Sequence, residues 1–435
     1  MNLKDGYSFL TNPPGRAILF NGLFVYAVFS MRYVFPFLLL PYITRVLSIG
    51  GYGTYLSVVG TASFYSIILE FSAPTTGLLR LSISANKNDR GKIVLNYTII
   101  KIVLFICATP MLYTINKFYL HLSIAYFCSM IAVSFFQSIN LQWAFQGTSS
   151  VKTMTIIQIF GMTVNLGLIF LLVHTSGDAL VAVGCQTASW AATFAISTYF
   201  IRRHAYFRMP DLASVLTEVK AGINGYVARI LLCCQDQATI VTMTVLATVQ
   251  QIGAYGMAEK LSLLMVGALP PLVQLTFPRV SRSWSERGRQ HLIILAATLG
   301  AVTVASFVVS AILSYFGDFI GIKFLGAKFS NAHTIIHVLA LLIIPASINA
   351  ILSWQVFICS GRSGILSGIM GAGAFINVIL CVTMIPTHGA LGAAYARLFS
   401  EASILCALAL MAVQIILKTT QGQPQIISQH RSSDQ

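Results

Sequence analysis

The chain has 435 residues, of which 56% are hydrophobic and 9% charged, where soluble domains carry about 25% charged residues. That balance excludes a large soluble core and indicates a membrane protein. The net charge of +15 would elsewhere suggest nucleic acid, but it must first be tested against membrane topology, which collects Lys and Arg in cytoplasmic loops.

A helix rising about 1.5 Å per residue needs about 20 apolar residues to cross about 30 Å of hydrocarbon. About twelve such spans are expected, near 17–40, 50–73, 93–115, 119–144, 153–174, 178–200, 219–243, 251–278, 292–316, 332–358, 363–386 and 389–416. The first is too long for a cleavable signal, carries Arg32 in its middle and lacks a small-residue cleavage pattern. The second ends at Glu70-Phe71, just before a basic patch from Arg80 to Lys92. No segment alternates in polarity as a barrel strand would, so the expected class is an all-α polytopic membrane protein. Residues 418–435 are polar and are expected to form a disordered cytoplasmic tail.

Eighteen Lys and Arg residues fall on or beside one set of connections, together with both termini. The opposite set holds four: Arg45, Lys117, Lys323 and Lys328. Both termini are therefore expected in the cytoplasm, and topology absorbs most of the basic excess, so no nucleic-acid partner is expected. The loops are short on both sides and attach no soluble domain.

The sequence echoes itself. Ile49-Gly50-Gly51-Tyr52-Gly53 resembles Ile252-Gly253-Ala254-Tyr255-Gly256, and Leu141-Gln142-Trp143 resembles Leu352-Ser353-Trp354. Gly161 and Asn165 match Gly373 and Asn377, and Ala179-Leu180 matches Ala390-Leu391. The offsets are 203 for the first pair and 211 or 212 for the others. The expected organisation is two six-helix bundles, 1–208 and 209–417, related as a parallel repeat.

Arg32, Glu70, Lys101, Arg229, Asp236, Glu259, Lys260, Arg397 and Glu401 fall inside the spans. Each costs roughly 2.5–3.5 kcal/mol at the bilayer centre, so each should face a partner or water. Plainer structural readings exist for several. Glu70 can sit at the interface, Lys101 can snorkel to the headgroups, and Arg397 and Glu401, four apart, can pair within one helix. If they converge instead, Arg32, Arg229, Lys260 and Arg397 would give a central path a positive field suited to an anion, and Arg suits a diphosphate through its paired donors.

The eight cysteines form no CxxC, and His333 and His337 share a helical face without a carboxylate to complete a site. No metal site or cofactor is expected. There is no GxxxxGK[ST], no paired-carboxylate motif at a helix end and no long external loop, so neither an ATP-driven engine nor an enzyme is expected.

Four stretches carry a family likeness: Pro41-Tyr42-Ile43-Thr44-Arg45-Val46-Leu47 with Gly51-Tyr52-Gly53, Phe277-Pro278-Arg279-Val280-Ser281, Phe324-Leu325-Gly326-Ala327-Lys328-Phe329, and Gly389-Ala390-Leu391-Gly392-Ala393-Ala394. They resemble the bacterial polysaccharide and O-antigen repeat-unit flippases of the MATE-like multidrug/oligosaccharidyl-lipid/polysaccharide exporter superfamily. The resemblance implies a MATE-like fold in the bacterial inner membrane. It also implies alternating access and an undecaprenyl-diphosphate-linked oligosaccharide turned from the cytoplasmic to the periplasmic leaflet. A proton or sodium gradient would drive it, with Asp236, Glu259, Glu401 or Glu70 as the exchanging carboxylate. Membrane lipids, and other polysaccharide-assembly proteins, are the partners it suggests. The competing expectations are multidrug efflux on the same fold and, from another class, a polysaccharide polymerase or ligase.

Overall fold

A computed structural model describes residues 34–84, 86–203, 205–206, 211–266, 280, 290–320 and 333–420. Arg32 and the tail beyond residue 420 lie outside the described residues, as does most of the first expected span. Every regular element among the described residues is helical. In chain order they are α1 (Val34–Val46), α2 (Ile49–Leu69), α3 (Leu78–Ile83), α4 (Lys87–Ile115), α5 (Ile124–Ser138), α6 (Gln142–Gly147), α7 (Val151–Leu172), α8 (Ala179–Ile201), α9 (Leu212–Leu246), α10 (Val249–Val266), α11 (Gln290–Ile320), α12 (His333–Ile351) and α13 (Ser363–Thr420).

Seven of the described helices are long and apolar enough to cross a membrane, or eight when α2 and the bent continuation through α3 are taken as one. α13 counts once in that number, yet its 58 residues would extend about 87 Å, far beyond one crossing. Gly389, with φ +58°, divides it into two limbs, at the boundary expected between spans 363–386 and 389–416. A positive φ of this kind is open to glycine without the Cβ penalty other residues meet.

Local sequence accounts for the breaks. Ser48 starts α2 by accepting a hydrogen bond from the Gly51 amide at 3.0 Å. At the other end α2 stops after Glu70, where Phe71 takes φ +52° and a wide turn over Ala73–Gly77 begins with Pro74. The chain bends there by 58°.

Several local geometries occur twice. After α6, Thr148, Ser149 and Ser150 donate their amides to Ala144, Gln146 and Phe145, and Ser149 has φ +56°. At an offset of 212, Ser360, Gly361 and Arg362 donate to Val356, Ile358 and Phe357, and Gly361 has φ +71°. Likewise Ser189 donates to the Gly161 carbonyl at 2.7 Å and Ser400 to the Gly373 carbonyl at 2.9 Å. At the starts of α2 and α10 the glycines that meet are 200 residues apart, whereas the matching letters there lie 203 apart. A Cβ on Gly53 would collide with the Val249 carbonyl, and one on Gly253 with the Ile49 carbonyl. The two helices therefore cross backbone to backbone at glycines 200 residues apart.

This crossing sits in a single apolar core built from both halves, including Leu47, Tyr52, Val58 and Leu69 with Ile252, Tyr255, Leu339 and Ile385. Toward the other end the core divides. One cluster, around Leu81, Tyr97, Trp143 and Phe145, belongs to the first half; another, around Val302, Val356, Phe357 and Leu408, belongs to the second. The halves are thus welded at the Ser48 end and separate at the Arg80 end. α9 spans the division: Val215, Val219 and Tyr226 pack on the first-half cluster, while farther along Gln235 meets Ser400 of α13.

The weld predicts a position-specific effect of glycine replacement. Gly53→Ala and Gly253→Ala should each destabilise the detergent-purified protein by about 1–3 kcal/mol through overpacking. Gly300→Ala and Gly368→Ala, whose new methyl groups meet nothing within 4 Å, should leave the unfolding temperature unchanged or slightly higher. Thermal unfolding of the four variants checks this.

Candidate functional site

The divided end is bridged by polar side chains of α9. Glu218, Gly222, Gly225 and Arg229 lie at spacings of four, three and four, so they form one stripe down the helix. That stripe lies against the break between α2 and α3. The two glycines let Phe71, Ser72, Thr75 and Thr76 approach the α9 backbone, and any side chain there would collide with them. Tyr226 adds a hydrogen bond from its hydroxyl to the Ile68 carbonyl at 3.0 Å.

Charges sit at both ends of the stripe. Arg229 donates through Nη2 to Glu70 Oε2, joining α9 to the last residue before the break. Arg80 of α3 pairs with Glu218 at 3.0 Å, and the Glu218 side chain is nearly buried. Both pairs join the two halves. Glu70 is therefore not merely an interfacial carboxylate: it reaches across to the opposite half.

One more charge belongs to this site, beside the Glu70–Arg229 pair. Lys101, in the middle of α4, is 2% exposed. It does not snorkel. Its ammonium donates to the Ser138 carbonyl at 2.7 Å and lies 5.7 Å from the centre of the Trp143 ring. Its charge interacts with Glu70 and Arg229. Aromatic contacts link the two places, from Tyr226 to Phe71 at 4.8 Å, to Tyr97 at 6.5 Å and to Trp143 at 5.4 Å. The group holds two cations and one carboxylate, leaving a positive excess inside the membrane region.

A second cluster lies about 9 Å farther along α9, six residues beyond Arg229. Arg397 pairs with Glu401 at 3.1 Å within α13 and also donates to the Gln235 carbonyl. Asn349 of α12 donates to the Glu401 carboxylate at 2.8 Å and to its backbone carbonyl at 3.0 Å. Gln235 donates to Ser400 at 3.1 Å and to Glu401 at 3.4 Å. Nearby, Asn377 donates to Thr239 at 2.8 Å. All of these residues come from the second half. The i,i+4 pair is real, and it is the centre of a buried clamp joining α9, α12 and α13.

The structure thus joins Glu70 to Arg229 and Arg397 to Glu401, and it keeps the two groups distinct. Lys260 is exposed. Glu259 accepts a hydrogen bond from Tyr255 at 3.2 Å. The Asp236 side chain and Arg32 are outside the described residues. No group of three or more His, Cys, Asp or Glu suited to a metal occurs among the described residues, and His333 and His337 contact each other at 3.1 Å on the surface. Gln235 and Asn349 were invisible as site residues in the sequence, and Glu218 left one signal, as one of the chain's twelve acidic residues.

Comparison with known proteins places this geometry in context. The sequence family described as "Polysaccharide biosynthesis protein" matches residues 18–284. A Shigella dysenteriae protein named "Putative O-antigen transporter" is 24% identical over 393 residues, covering 88% of this chain and 97% of that protein. One of the same name from Escherichia coli (strain K12) is 19% identical over 389 residues, covering 88% and 93%. Among solved structures, the lipid II flippase MurJ in an inward closed conformation aligns with TM-score 0.70 at 13% identity, covering 92% of this chain and 90% of that one. An inward-facing multidrug resistance MATE family transporter of the MOP superfamily aligns with TM-score 0.67 at 12% identity, covering 89% and 99%. These likenesses establish a shared fold of the MATE and MurJ type. With well over half of its length matched by the family, the chain belongs to the polysaccharide biosynthesis protein family.

Proposed function

We propose that this protein is a flippase that turns an undecaprenyl-diphosphate-linked oligosaccharide, an O-antigen or capsule repeat unit, from the cytoplasmic to the periplasmic leaflet. The observation that carries this is the cationic excess of Arg229 and Lys101 over Glu70, held between two halves that share a core at one end only. An oligosaccharide cannot dissolve in hydrocarbon, so it must pass between the halves, and its diphosphate needs positive charge along the way. The relatives named as O-antigen transporters and the flippase with the same fold support the same cargo class.

The moving bodies in this proposal are residues 1–208 and 209–417, opening alternately toward the two leaflets. In this reading the divided Arg80 end faces the cytoplasm of the bacterial inner membrane with both termini, which the eighteen-to-four distribution of basic residues supports. A proton or sodium ion would supply the drive. Among Glu70, Asp236, Glu259 and Glu401, Glu70 is the carboxylate tied across the halves, whereas Glu401 is clamped within one of them. Transport requires no covalent chemistry, and the protein acts as a carrier, not an enzyme. Multidrug efflux is the second reading, favoured by the MATE transporter of the same fold. Organic cations, however, would meet net positive charge at this site.

Deleting the gene should leave lipid-linked repeat units in the cytoplasmic leaflet, and re-expression should clear them. Repeat units that reach the periplasmic face as before, or restored resistance to cationic dyes as the only phenotype, would refute the flippase reading. In the same strain, Lys101→Met should reduce translocation at least tenfold with normal membrane abundance, because methionine fills the site without the charge. Lys101→Arg should retain part of the activity. Leaflet-specific labelling of the repeat unit measures both.

A further inference from the structure

In the Glu70–Arg229 pair both side chains stay half-buried, and the arginine leaves a donor unfilled. Arg229 and Glu70 keep 20% and 19% of their exposure, where Arg80 and Glu218 keep 34% and 4% and Arg397 and Glu401 13% and 9%. Nε and Nη2 of an arginine form one edge, able to donate two parallel hydrogen bonds to a carboxylate or phosphate. Glu70 takes the Nη2 bond with a single oxygen. Arg229 Nε, on the same edge, is buried without an acceptor. Glu70 therefore satisfies half of what that edge offers, and Lys101 leaves the locality positive even with the pair formed.

Glu70 is also positioned to transmit its own release. It is the last residue before the left-handed Phe71 and the wide turn whose side chains pack on Gly222 and Gly225 of α9. Displacing the carboxylate loosens that contact, and beyond it lies the Arg80–Glu218 pair of the divided end.

We propose that Glu70 is a built-in placeholder anion: a phosphate-bearing ligand replaces it on the Nε–Nη2 edge of Arg229, and this exchange releases the tie between α9 and the α2–α3 break. The proposal rests on the flippase reading and adds how the cargo opens its own entrance. Without a phosphate the two halves are tied at this end. With one, the guanidinium keeps its counterion while Glu70 and its turn are free to move.

Exchange of this kind implies that the placeholder weakens ligand binding by the fraction of time it occupies the site. The test uses the full-length protein in lipid nanodiscs, with farnesyl diphosphate as ligand and inorganic pyrophosphate as a tail-free control separating headgroup binding from membrane partition. Glu70→Gln should bind farnesyl diphosphate about tenfold more tightly than the natural protein if the pair is formed about nine-tenths of the time. Arg229→Gln should bind at least tenfold more weakly. In the unaltered protein, adding farnesyl diphosphate should speed amide hydrogen exchange in peptides 78–84 and 212–222, a readout independent of how any variant folds. Equal or weaker binding by Glu70→Gln, or unchanged or slowed exchange in those peptides, would overturn the placeholder and leave the flippase reading standing. Absence of binding by the natural protein and Glu70→Gln alike would instead overturn the diphosphate cargo, and the placeholder with it.

Discussion

Charge inside a membrane must be answered by opposite charge, by hydrogen bonds or by water, and the structure of this protein depends on where its answers come from. At the Arg80 end they come from the other half. Arg229 and Glu218 of α9 meet Glu70 and Arg80 of the α2–α3 break, so the electrostatics of the spans also hold the halves together. The rest of that contact is side chains of the turn set against two glycines, with Val215, Val219 and Tyr226 packed on the first-half cluster. Parting it uncovers that smaller apolar contact, where parting the welded end uncovers a continuous core drawn from both halves.

Two Arg–Glu pairs that meet α9 at positions six residues apart have opposite physical consequences. Breaking a buried pair by removing one partner costs about 3–5 kcal/mol, because the survivor is left uncompensated. Exposed pairs contribute about 0.2–1 kcal/mol. Arg397–Glu401 lies near the first limit, surrounded by Asn349, Gln235 and Ser400. Glu70–Arg229 is half-buried and lies between the limits. The first is suited to holding α9, α12 and α13 as one body, and the second to exchanging partners when the halves move.

Much of the fold was legible in composition and periodicity, because the hydrocarbon allows few alternatives: long apolar segments must be helices. The break at Glu70-Phe71 was visible as the end of an apolar run before a basic patch, and the division of α13 as a boundary between the spans 363–386 and 389–416. The Gly161–Gly373 echo marked two places where a serine reaches a glycine carbonyl. The 203-residue echo paired Gly50 with Gly253 by letter, while the residues that touch are Gly53 and Gly253. Letters record which residue types recur. They do not record which face of a helix meets the pseudo-equivalent helix.

Side-chain partners were less legible, for a related reason. Arg397 and Glu401 are four apart, so their pairing follows from helical geometry alone. Glu70 and Arg229 are 159 positions apart, and Asn349 and Glu401 are 52 apart, so their pairing depends on helix rotation. Hydropathy fixes rotation poorly when helices are apolar on most faces, as α4 is. Lys101 shows the consequence: a lysine eight residues into a span could either reach the headgroups or turn inward, and only the positions of Ser138 and Trp143 decide it.

The contrast between the two ends bears on direction. Opening the welded end means exposing a continuous apolar core, at about 25 cal/mol for each Å² uncovered, and separating helices whose backbones touch. Opening the divided end means exchanging ion pairs, whose loss an incoming anion can offset. A phosphate-bearing ligand therefore lowers the barrier at one end without altering the other. The asymmetry resides in the kind of interaction: burial does not distinguish one anion from another, whereas an arginine edge with one donor unfilled does. A path sealed by apolar packing on one side and by an exchangeable counterion on the other admits its cargo at the counterion.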